Sequence, residues 1–78
     1  MNGESLVKMV NQIGDFFSAM PDHDQAVQGV ATHLKRFWPP AMRRDLLAHL
    51  DQSGHSELNP LAAEALARHR SLLSESST

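Results

Sequence analysis

The chain contains no cysteine, no tyrosine and a single tryptophan. Without cysteine there is neither a disulfide framework nor a thiolate metal site, and this usage points to a reducing, cytoplasmic setting. No apolar run approaches the roughly 20 residues that a membrane span needs. The opening MNGESLVKMV carries a glutamate where a secretory leader has its basic region, so no signal peptide is expected. There is no glycine-rich loop to cradle a phosphate, and no serine sits in a glycine elbow. β-Branched residues are scarce, whereas Leu, Ala and Met are common, which favours helix over strand. Seven Lys/Arg against nine Asp/Glu leave a net charge of −2. A domain built to bind nucleic acid generally is distinctly basic, so that class is disfavoured.

What is present is a chain of 78 residues, enough for one domain. A domain of this size buries only about 60% of its unfolded surface, so its own core is marginal. Residues 1–4 are expected to fray, 5–73 to form a single all-α domain of three to four short helices, and 74–78 to be a disordered tail. In the first helix, Leu6, Met9, Val10, Ile13, Phe16, Phe17 and Met20 fall on an arc of about 120°. Ser5 is its candidate N-cap, unless the helix begins a turn earlier. Gly14 is either a tolerated exposed position or a site of close backbone approach. Met20-Pro21 should end this helix, and Asp22 with Gln25 has the spacing of a capping box.

The second helix should run to about Phe37, with Ala26, Val27, Val30, Ala31, Leu34, Phe37 and Trp38 on one broad face. A third should cover Pro40 to Gln52 and stop at Ser53-Gly54. A fourth, capped by Asn59 and opened by Pro60, should continue to Leu73 with His69 in the middle of its stripe. Phe17, Val30, Leu34 and Leu46 are the expected centre of the core.

The most informative stretch is HLKRFWPPAMRR, residues 33–44. Pro39 cannot continue an arriving helix, and Trp38 before it is pushed toward extended geometry. The stretch is thus a corner between helices, with a large aromatic at its apex. Lys35, Arg36, Arg43 and Arg44 flank that apex, four of the seven basic residues. They form either a solvated rim around a buried Trp38 or a docking patch for an acidic surface with Trp38 partly exposed as anchor, since Trp and Arg are enriched at binding hot spots. Arg43 falls inside the apolar arc of the third helix, where it either snorkels to water or points at an anionic partner group. These five residues are the candidate partner-binding set.

Catalytic readings lack support. The serines lie at caps, loops and the tail, and the carboxylates at helix ends and outer faces, so neither a nucleophile–base pair nor an acid pair emerges. The five histidines show no i, i+3 or i+4 pair to hold zinc on a helix. A helix-turn-helix reading would send the third helix into a DNA groove, but it offers no Asn or Gln near its start to read adenine.

Two blocks, LVKMVNQIGDFF (residues 6–17) and HLKRFWPPAMRRDLLAHLD (residues 33–51), resemble the small delta subunit of cytoplasmic NAD-dependent formate dehydrogenases. The order, spacing and total length fit over nearly the whole chain, more loosely at the tail, and the W-P-P-x-M-R-R run is the most distinctive piece. The resemblance implies a non-catalytic accessory subunit of a complex that oxidises formate to carbon dioxide and reduces NAD. In that family a large alpha subunit carries bis-molybdopterin guanine dinucleotide and iron–sulfur clusters, and diaphorase-type subunits carry FMN and further clusters. The delta subunit has no cofactor of its own and supports assembly or stability. The partner implied is the large catalytic subunit, with neither nucleic acid nor membrane. The alternatives are an independent regulatory or DNA-binding helical protein, and a homodimer of the isolated chain closing over its wide second-helix face.

Overall fold

The computed structural model describes residues 2–74, and among these it contains five helices and no strand. They are α1 (Gly3–Phe17), α2 (His23–Phe37), α3 (Pro40–Ser53), α4 (Pro60–Arg68) and α5 (Arg70–Ser74). α2 packs against each of the other four, and these form a circuit around it in the order α1, α3, α5, α4. The body measures 31 × 30 × 17 Å, the short dimension being that of two helix layers.

Local chemistry explains the boundaries. α1 begins a turn before Ser5: the Asn2 side chain caps it by accepting from the Ser5 N–H at 2.8 Å. Gly3 and Glu4, expected to fray, are therefore helical. Asp22 caps α2 by accepting from the Gln25 N–H at 3.0 Å. Trp38 ends α2 in extended geometry (φ −92°, ψ 132°), and Pro40 opens α3. Gly54 closes α3 at φ 80°, a conformation that side-chain-bearing residues rarely adopt.

The core gathers Leu6, Val10, Val27, Val30, Leu34, Leu46, Leu50, Leu66 and Leu73, with Leu58 contributed by the α3–α4 loop. Phe17 packs on it only from the edge. The expected fourth helix is two: at His69 the backbone turns to φ −115°, ψ 25°. α5 then lies against α2 and α3 as well as α4, which buries Leu73 and brings Arg70 to Asp51 at 2.8 Å. Periodicity alone could not show this bend, because the apolar stripe runs through it unbroken. Ser74, assigned to the tail from sequence, is the last residue of α5. The remainder of that tail, residues 75–78, and Met1 lie outside the described residues. No described helix is long and apolar enough to cross a membrane.

Gly14 is buried, and a Cβ there would lie 2.7 Å from Oδ1 of Asn59. The close neighbour is thus a capping side chain, not another backbone. Asn59 accepts from the Ala62 N–H at 2.8 Å and donates from Nδ2 to the Asn11 carbonyl at 3.0 Å and to Asp15 Oδ1 at 3.0 Å. Its own N–H donates to Asn11 Oδ1 at 2.8 Å. One side chain therefore caps α4 and ties it to α1. A cap alone is worth about 1 kcal/mol.

Candidate functional site

The apolar arc of α1 and the face it buries do not coincide. Leu6, Val7, Val10 and Gly14 are buried, whereas Phe16 is 76% exposed and Met9 and Ile13 are only partly covered. At 100° per residue the buried face is rotated roughly 70° from the centre of the apolar arc. The surplus apolar edge is turned outward. Met20, expected on the same stripe, lies beyond the end of α1 and is 37% exposed.

α2 shows a second surplus. Phe37, assigned to the buried face from its angular position, is its last residue and is 66% exposed. Here the helix outruns the neighbours that cover its earlier turns. The two surpluses meet. Phe16 packs edge-on against Phe17 at 5.2 Å between ring centres, Phe17 lies 6.2 Å from His33, and His33 lies 4.8 Å from Phe37. Gly29 leaves room for this row: a Cβ there would come within 2.6 Å of the Phe17 ring. Beside the rings opens an apolar groove of about 310 Å³, whose lining includes Met9, Ile13, Phe16, Phe17, His33 and Trp38. All three phenylalanines of the chain and its one tryptophan are thus gathered at one surface.

The corner residues separate into two groups. Arg36 and Arg44 are exposed, and Lys35 is half-buried. The Arg36 guanidinium carbon sits 5.8 Å from the centre of the Phe37 ring, within cation–π range. Trp38 is 7% exposed, so it floors the groove and does not project as the partly exposed anchor considered from sequence. The Pro-Pro corner turns its ring inward, against the apolar faces of the helices. Arg43 is 2% exposed and does not snorkel. It shares a helix face with Leu46, Leu47 and Leu50, all buried, and Nε, Nη1 and Nη2 have no hydrogen-bond partner.

Sequence reasoning located the corner but missed Phe16, Phe37 and His33 as surface groups. The available signal was the width of the apolar arcs, broader than a helix this short buries on its own neighbours.

Away from the groove, an exposed polar cluster joins α2 to α4. Glu64 accepts from His23 Nε2 at 2.7 Å and from Arg68 at 3.0 Å, and Arg68 also reaches Asp24 at 3.2 Å. The hydrogen bond to His23, then that to Arg68, holds the Glu64 carboxyl below its ordinary value. No grouping of three or more His, Asp or Glu side chains suited to a metal ion occurs among the described residues. The surface found here is apolar, concave and aromatic, with the Arg36 guanidinium beside the Phe37 ring at its edge.

Neither a characterised protein nor a solved structure gives a significant match to the chain. A family model does, that of the NADH-dependent formate dehydrogenase delta subunit FdsD, over residues 5–66. That span takes in most of α1, α2, the corner, α3 and most of α4, and with it every residue of the groove, so the chain belongs to the formate dehydrogenase delta-subunit family.

Proposed function

We propose that the chain is a non-catalytic accessory subunit that binds the large catalytic subunit of formate dehydrogenase and stabilises it during or after assembly. The observation that carries the docking site is the aromatic groove in a chain whose family is defined as a subunit. Phe16 and Phe37 are the most exposed of the large hydrophobic side chains among the described residues, and burying each contributes about 1.5–3 kcal/mol. Residues 25–44 hold no acidic residue and four basic ones, so the complementary surface is acidic as well as apolar. In this reading Arg36 and Arg44 steer the encounter with Lys35 beside them, and the phenylalanines supply the affinity.

The redox groups of the complex, the molybdopterin dinucleotide, iron–sulfur clusters and FMN, belong to the partner chains. This chain has no cysteine to ligate a cluster. Its action is thermodynamic: a small domain gains stability from whatever binds its folded form, and stabilises that partner in return. The complex operates in the cytoplasm.

The test is co-expression with the catalytic subunit. A tagged chain is expected to retain that subunit through purification and to raise its yield and resistance to heat. Recovery of the tagged chain alone, as monomer or homodimer, with the catalytic subunit equally stable without it, refutes the reading.

A further inference from the structure

The one buried charge among the described residues is Arg43, and it has no counter-ion among them. Its side chain is 2% exposed, on the apolar face of α3, with all three guanidinium nitrogens unbonded. A guanidinium carries its charge permanently, so it cannot relieve burial as a lysine can. Burial of an uncompensated charge opposes folding. The described carboxylates are engaged elsewhere or face solvent. Asp51 pairs with Arg70, Glu64 with His23 and Arg68, and Asp24 with Arg68. Asp15 and Asp22 accept from Asn59 and Gln25, while Glu4, Asp45 and Glu57 are exposed.

We infer that Arg43 is the receptor for a carboxylate supplied by the partner protein, held unpaired in the free chain and paired only in the complex. This rests on the accessory-subunit reading and names the chemistry of the contact. Three unbonded nitrogens in one planar fork match the two oxygens of a carboxylate. Arg43 stands in the first turn of α3, three residues after the Pro39–Pro40 corner, and helical side chains lean toward the N-terminus. Pro39, Ala41 and Arg44 are exposed there. A protein seated on that acid-free corner brings its acidic groups within reach of a modest swing of the Arg43 stem. Arg43 therefore destabilises the free chain and strengthens the assembled one.

Arg43→Met tests both halves. In the isolated chain the substitution removes an unpaired charge and fills the same space, so Tm should rise by about 5 °C or more. In a pull-down with the co-expressed catalytic subunit, affinity should fall at least about tenfold. Arg43→Gln should lose the same affinity. A lowered Tm for Arg43→Met makes the residue a structural element of the free fold and overturns the inference. Unchanged affinity with a raised Tm overturns it equally. If the wild-type chain itself fails to bind the catalytic subunit, the accessory-subunit reading falls and takes this inference with it; if the wild type binds and Arg43→Met binds as well, only the inference falls.

Discussion

Two faces of the C-terminal half of α1 meet their neighbours in opposite ways. Toward α4, Asn11, Gly14 and Asp15 close on Asn59 through directed hydrogen bonds and a contact too tight for a Cβ. Toward the end of α2, Phe16 and Phe17 meet His33 and Phe37 through ring edges alone, and a groove stays open. The first junction is satisfied within the chain. The second carries apolar surface that the chain cannot cover. A domain this small has too few elements to bury every apolar arc it owns, and the surplus gathers where α1 and α2 run past their neighbours.

Substitutions should separate the two junctions. The largest effect is expected from Phe16→Ser combined with Phe37→Ser: affinity for the catalytic subunit should fall about 100-fold or more, while the Tm of the free chain moves little. A Tm collapse by circular dichroism would show the rings to be core after all. Asn59→Ala should do the reverse. It removes the α4 cap and the Nδ2 bonds to the Asn11 carbonyl and Asp15, for a loss of about 2–3 kcal/mol in chemical denaturation, with docking unchanged once the protein is folded. Gly14→Ala should cost about 1–2 kcal/mol by displacing the Asn59 side chain, again without touching the groove; equal stability would mean that the clamp gives way easily.

The smallest effect concerns pH. The carboxyl of Glu64 is held below its ordinary value of 4.5 by His23 and Arg68. A depressed carboxyl contributes stability above its unfolded value and loses it as pH falls through the folded one. Wild type and Glu64→Gln should thus differ slightly in Tm at pH 7 and converge in strong acid. A difference that persists there would assign the effect to packing.

Much of the local structure was legible in the residues themselves. Proline at 39 and 40, asparagine at 59 and glycine at 54 act within one turn of the chain, so they fix where α2 stops, where α3 begins and ends, and where α4 begins. The corner was legible for the same reason. Its burial pattern was not. Trp38 and Arg43 lie inward while Arg36, Phe37 and Arg44 lie outward, and no local rule separates them.

The sequence by itself determined the helical class, most of the helix boundaries, and the family to which the chain belongs. Only the tertiary structure decided the roll of α1, the bend at His69, the exposure of Phe16 and Phe37, and the burial of an unpaired Arg43. The physical reason is that a helical repeat fixes the angles between side chains on one helix. Which of those angles meets a neighbour is set by where the other helices stand, and that is a property of the whole packed chain.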